Sequence, residues 1–171
     1  DMVRDITGLA PAAKSDLAKL LAATYPGTKN NVETHVKEMI ATIGENMSVR
    51  RTAALSVKDG VVADYVHSRV ADGLGKIGVL VALESAGDKP TLFELGRMVA
   101  MHIAAASPVA LDLDSVPKET LERESAILAE KNAGKKPEMM EKIIAGGLKA
   151  FAKENCLLEQ TYIHDTTKTV A

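Results

Sequence analysis

The sequence has no tryptophan, one cysteine and few aromatic residues, and each shortage excludes a class of protein. Its 171 residues include two phenylalanines and three tyrosines, too few rings for a surface that binds single-stranded nucleic acid by base stacking. The single cysteine, Cys156, cannot form an internal disulfide, which favours a reducing compartment. The apolar runs are too short to cross a bilayer. We therefore expect a cytoplasmic protein with no membrane partner.

The sequence also lacks an excess of charge of either sign. The formal net charge is −2, from 21 basic and 23 acidic side chains. Residues 1–107 hold 12 of each sign, and residues 108–171 hold 9 basic and 11 acidic side chains. Neither region is basic enough to bind a phosphate backbone. Direct binding of nucleic acid is therefore not expected, whereas an apolar fraction of 46% is ordinary for a globular protein.

The first 46 residues read as helices. Leu17, Leu20 and Leu21 indicate a short helix that ends at residues 25–27, because proline lacks an amide donor and glycine accepts turn dihedrals. A clearer helix follows, with apolar residues on one face of a 3.6-residue period: Val32, Val36, Met39, Ile40 and Ile43. Asn30 or Asn31 can cap its start, and Gly44 suits its C-terminal end.

The period changes to two after residue 47, which predicts a sheet. Residues 47–57 alternate between apolar and polar side chains, as a half-buried strand does. Residues 58–60 are a hairpin signal, and a second strand would begin after them with Val61 opposite Val57. Residues 77–83 are apolar throughout and indicate a covered strand. The predicted fold class is α+β, with a three-stranded antiparallel sheet that packs against helices.

The remaining sequence predicts one helix over the sheet and an antiparallel, coiled-coil-like helical hairpin. Thr91 and Glu94 form a capping-box pattern before a helix that ends near residue 106. Two helices joined by the break at residues 134–137 form the hairpin. Its second helix carries an apolar stripe wider than one partner helix can cover: Met140, Ile143, Ile144, Leu148 and Phe151. This stripe needs the core or a second subunit.

These elements divide the chain into four parts. The division comprises a helical part of the core (1–46), an α+β core subdomain (47–112), a helical hairpin of the dimerisation type (113–155) and a segment that returns to the core (156–171).

Most residues that could carry chemistry have a structural explanation. Residues 73–78 match the G-x-G-x-x-G letters of a dinucleotide fingerprint, but they precede a strand where that site requires a helix. The four histidines lack metal-ligand spacing, and His102 reads as a hydrogen-bonded core residue. His67 lies at a polar strand end, where a role in surface contact and a purely structural role both stay open. Cys156 reads as a small buried hydrophobe, and one of Arg50 and Arg51 should be buried in an ion pair.

Five stretches, in this order, carry a resemblance to a known family. Residues 43–51, I-G-E-N-M-S-V-R-R, resemble the I-G-E-N-x-x-[IV]-R-R signature of translation elongation factor Ts. Residues 77–81, 101–105, 136–151 and 168–170 are similar to the same family. The ordered combination covers nearly all of the chain from Ile43 onward.

The resemblance implies a guanine-nucleotide exchange factor that binds the GTPase elongation factor Tu and promotes GDP release without bond chemistry, cofactor or metal. It places contacts with the GTPase on Ile43, Gly44 and His67, the last preceded by Tyr65 in a Y-x-H strand motif. It also implies self-association of some members through the hairpin, here Met140, Ile143, Ile144 and Phe151.

The chain departs from the family pattern in ways that imply a fragment. It shows neither the small N-terminal helical domain nor the T-D-F-V segment, so we expect weaker binding and slower exchange than in a complete factor. Two alternatives stay open. One is a structural dimerisation module without exchange activity, and the other is a dinucleotide-binding enzyme that uses residues 73–78.

Overall fold

The computed structural model describes residues 2–171 and has the predicted α+β class. The regular elements are α1 (Met2–Ala13), α2 (Leu17–Ala22), α3 (Val32–Ile43), β1 (Gly60–Ala71), β2 (Leu74–Glu84), α4 (Lys89–Ala106), α5 (Lys118–Lys131), α6 (Pro137–Asn155), β3 (Thr161–Tyr162) and β4 (Asp165–Thr169). Short 3₁₀ turns occupy Leu113–Ser115 and Leu157–Glu159. Among the described helices, none combines the length and hydrophobicity that a bilayer span requires.

The first three helices form one apolar cluster. Its buried members are Ile6, Ala13, Leu20, Tyr25, Val32 and Val36. Asn31 caps α3 as predicted, because its side chain accepts a hydrogen bond from the Thr34 amide at 2.8 Å. Gly44 ends α3 in the left-handed region, with φ of 79°, which a glycine adopts without steric cost. The predicted helix 15–24 is shorter, and Asp16 caps it.

The prediction of a three-stranded sheet is wrong. Residues 2–171 contain two separate two-stranded sheets, β1–β2 and β3–β4. The main hairpin turns at residues 72–73 and pairs Gly60 with Glu84, so residues 58–60 are not its loop and Val57 does not face Val61 across a hairpin.

The segment 44–57 has no regular secondary structure, although its sequence alternates. Met47 and Val49 pack against the cluster of the first helices, and the Ala54 amide donates to the Ser15 hydroxyl at 2.9 Å. Met47 and Val49 are thus partly buried against helices without a strand partner, whereas Leu55 is 46% exposed. Arg50 and Arg51 are both exposed, so the prediction that one of them is buried is also wrong.

Helix α4 covers one face of β1–β2, as predicted. Its close approach depends on Gly96, where a Cβ atom would lie 2.7 Å from the Cβ of Ala63. Ala63 is fully buried and pairs with the buried Val81. The helix begins earlier than the capping-box pattern indicated, because the Asp88 side chain caps it by accepting a hydrogen bond from the Thr91 amide at 3.0 Å.

Helices α5 and α6 form the predicted helical hairpin, and a glycine sets their separation. A Cβ atom on Gly147 would lie 2.4 Å from Cδ1 of Leu128, so only glycine leaves this leucine in place. At the base of the hairpin, Val116, Ala152 and Cys156 form a second buried cluster. Cys156 is fully buried, which confirms its interpretation as a small hydrophobe.

A buried polar pair joins α4 to the chain after α6. His102 is fully buried, and its Nε2 lies 2.9 Å from Oε1 of Gln160. The Ile163 amide donates to its Nδ1 at 3.3 Å, so Nδ1 is the acceptor and Nε2 carries the proton. The side-chain Nε2 of Gln160 donates in turn to the Glu154 carbonyl at 2.8 Å. The prediction of a hydrogen-bonded core histidine is confirmed.

Candidate protein-contact surface

His67 lies on β1 with its ring exposed and held by a neighbour. Tyr65, two residues earlier, points to the same face of the strand, and its hydroxyl lies 3.1 Å from Nδ1 of His67. With the hydroxyl as donor, Nδ1 accepts and the proton stands on Nε2. Within residues 2–171 no group bonds to Nε2. In that tautomer the site presents an oriented N–H donor to the surface.

The backbone around His67 is shaped by a close approach of the two strands. His67 pairs with Ile77, whose side chain is 42% exposed. Gly75 follows the turn, and a Cβ atom there would lie 2.5 Å from Cγ1 of Val66 and 2.6 Å from the His67 carbonyl oxygen. Glycine at this position thus allows the strand to pass directly beside His67.

Ile43 and Gly44 form the exposed end of α3. The Gly44 amide donates to the Ile40 carbonyl at 2.8 Å, which fixes the turn in which the helix ends. The Ile43 side chain, one residue earlier, is 51% exposed. A large apolar side chain held on a rigid turn is suited to contact with a protein partner.

A groove lies between the first helices and the main hairpin. Its volume is about 1010 Å³, and its walls include Val36 of α3, Tyr65 of β1 and most of the segment 47–55. Two elements that carry predicted contact residues thus border one groove. Ile43, Gly44 and His67 themselves are not among the residues of its walls.

The predicted self-association residues differ in their surroundings. Met140, Ile143 and Ile144 are half-buried on α6, whereas Phe151 packs against the cluster at the base of the hairpin. Met139, which the predicted stripe omitted, is 50% exposed. The sequence signal that could have included Met139 in the stripe was its position beside Met140 at the start of the helix.

The residues that could have supported an enzyme lie in surroundings that do not suit catalysis. Gly73–Gly78 form the turn and the start of β2, and the chain continues from them as a strand instead of a helix, so no helix N-terminus meets a pyrophosphate there. Burial, with smaller contributions from Asp112 and Glu159, raises the pKa of the Cys156 thiol, which opposes thiolate formation. Within residues 2–171 there is no group of three or more side chains suited to a metal ion.

Comparisons with known proteins assign a family to this α+β chain. The family model "Elongation factor TS" matches residues 1–171. Elongation factor Ts of Methylobacterium nodulans is 54% identical over 169 residues, which are 99% of this chain and 55% of that protein. Those of Parvibaculum lavamentivorans and Xanthobacter autotrophicus are each 48% identical over 99% of the chain.

The chain belongs to the elongation factor Ts family. It spans about 55% of the length of the curated relatives that it matches.

Proposed function

We propose that this chain is a core part of a guanine-nucleotide exchange factor that binds elongation factor Tu and promotes the release of GDP in the cytoplasm during translation elongation. Family membership supports this function, and one structural observation carries it. His67 is exposed on β1, its Nδ1 lies 3.1 Å from the Tyr65 hydroxyl that orients the ring, and its Nε2 has no hydrogen-bond partner within residues 2–171.

The proposed mechanism is differential binding without bond chemistry. An exchange factor must bind the nucleotide-free GTPase more tightly than the GDP form, because only that difference shifts the equilibrium. The Nε2–H of His67 can donate to an oxygen near the phosphate-binding region of the GTPase, and Ile43 can pack beside it. Both contacts deform the GDP site when they form, and the mechanism needs neither a cofactor nor a metal from this chain.

The helical hairpin has a separate proposed role in self-association. Met140, Ile143 and Ile144 remain half-buried after α5 has packed on α6, and a second copy would cover them. Phe151 contributes from the base of the hairpin. Under this proposal, residues 1–46, 47–112 and 156–171 act as the core that meets the GTPase, and residues 113–155 act as the dimerisation unit.

The exchange proposal is tested by the release of a fluorescent GDP analogue from elongation factor Tu. The chain should accelerate release, and His67→Ala should slow it about tenfold, the effect of losing one hydrogen bond of intermediate strength. His164→Ala is the matched control, because His164 is also exposed but lies at the β3–β4 turn. The melting temperatures of both variants should stay close to that of the parent.

Two results would contradict the proposal. If His67→Ala releases GDP as fast as the parent, His67 makes no productive contact. If the parent chain forms no complex with elongation factor Tu, the alternative of a structural dimerisation module gains support, and analytical ultracentrifugation of Ile143→Lys would then test that module.

A further inference from the structure

A polar cavity beside β1 is lined by two arginines and one aspartate. The cavity has a volume of about 430 Å³ and is lined by Asp64, Tyr65, Val66, Arg69, Phe93 and Arg97. No ion pair joins Arg69, Arg97 or Asp64 to another side chain in the described part of the chain. The carboxylate and the two guanidinium groups thus share the cavity walls without meeting each other.

The local structure leaves both arginine side chains free to reach a ligand. Arg97 follows Phe93 by one turn of α4, so the two side chains lie on one helix face. Arg69 pairs with Gly75, which has no side chain to cover it. Ser68, just before Arg69, has a positive φ of 50° and breaks the regular strand geometry there. The aromatic walls, Tyr65 and Phe93, can stack against guanidinium groups.

We propose that this cavity binds a carboxylate side chain of the protein partner, an aspartate or glutamate of elongation factor Tu if the proposed function holds. Guanidinium groups bind carboxylates through paired hydrogen bonds. Asp64 reduces the formal charge of the cavity walls to +1, which suits a singly charged carboxylate better than a doubly charged phosphate. Tyr65 both lines the cavity and orients His67, so the cavity adjoins the proposed contact strand.

The test measures the affinity of the whole chain for nucleotide-free elongation factor Tu by calorimetry. Arg69→Gln and Arg97→Gln should each weaken binding about tenfold, as expected for the loss of a hydrogen bond to a charged group. The matched control is Arg123→Gln, which removes the same charge from α5. Asp64→Asn should tighten binding a few-fold, because it removes a negative charge beside the incoming carboxylate.

The outcomes separate this inference from the proposed function. If His67→Ala weakens the complex while Arg69→Gln and Arg97→Gln bind like the control, the cavity inference is wrong and the proposed function stands. If the parent chain does not bind at all, both fail.

Two further results identify a different ligand and would also overturn the inference. Weaker binding by Asp64→Asn would indicate a cationic ligand. A phosphate ligand would be indicated if inorganic phosphate shifts the NMR resonances of the Arg69 and Arg97 side chains at a lower concentration than acetate does.

Discussion

The neighbouring glycines of α6, Gly146 and Gly147, should respond oppositely to the same substitution. A Cβ atom on Gly146 meets nothing within 4 Å, so Gly146→Ala should gain helix propensity, about 1 kcal/mol in the free energy of unfolding. On Gly147 a Cβ atom would lie 2.4 Å, 2.7 Å and 3.1 Å from Cδ1, Cδ2 and Cγ of Leu128. Gly147→Ala gains the same propensity but forces Leu128 to move, and such overpacking costs about 1–3 kcal/mol.

Thermal unfolding followed by circular dichroism measures the difference. For a chain of this size 1 kcal/mol corresponds to about 2–4 °C, so Gly146→Ala should melt about 2–4 °C above the parent. Gly147→Ala should melt at or below the parent, and Leu128→Val in the same chain should restore part of its loss. Equal stabilisation by both alanines would refute the close packing of α5 on α6 at Gly147.

Three further predictions address the contact residue, the core and the acid response. Tyr65→Phe removes the hydrogen bond that orients His67. It should slow GDP release about 2–10-fold and leave the melting temperature unchanged. His102→Leu leaves the Gln160 oxygen unpaired in the core and should lower the melting temperature by about 5–10 °C, which corresponds to about 2–3 kcal/mol. Hydrogen bonds from the Thr91 hydroxyl and amide lower the pKa of Asp88. Its stabilising effect is therefore present above the unfolded-state pKa and lost as the pH falls through the folded one, so the melting difference between the parent and Asp88→Ala should shrink below about pH 4.

The helices could be predicted from the sequence because local signals agree with the packing. The 3.6-residue apolar period, Asn31 and Gly44 together give α3 its face and its two ends. The apolar side of α4 likewise predicted that His102 is buried. In each case, the period, the cap and the burial favour the same structure.

The sheet was predicted wrongly because alternation specifies a half-buried segment and not its partner. Met47 and Val49 satisfy the same pattern by packing against helices. The Asp-Gly pair at residues 59–60 was interpreted as the hairpin turn, but a second Asp-Gly pair follows at residues 72–73. Gly60 is needed because a Cβ atom there would lie 1.9 Å from the Leu83 carbonyl oxygen, and the turn itself occupies residues 72–73.

The candidate contact site could be predicted only in part. The strand period places Tyr65 and His67 on one face, but it does not show that the hydroxyl engages Nδ1 or that the ring stays exposed. Arg69 and Arg97 come from different elements, 28 positions apart in the sequence. Only the packing of α4 on β1 brings them to one cavity.

The central claim is that this chain binds the empty GTPase more tightly than the GDP-bound one. Isothermal titration calorimetry of the chain against nucleotide-free and GDP-bound elongation factor Tu measures both affinities directly. We predict that the nucleotide-free form binds at least about tenfold more tightly, a coupling free energy of about 1.4 kcal/mol. Equal affinities for the two forms would contradict the account, because a protein that binds both equally cannot displace GDP.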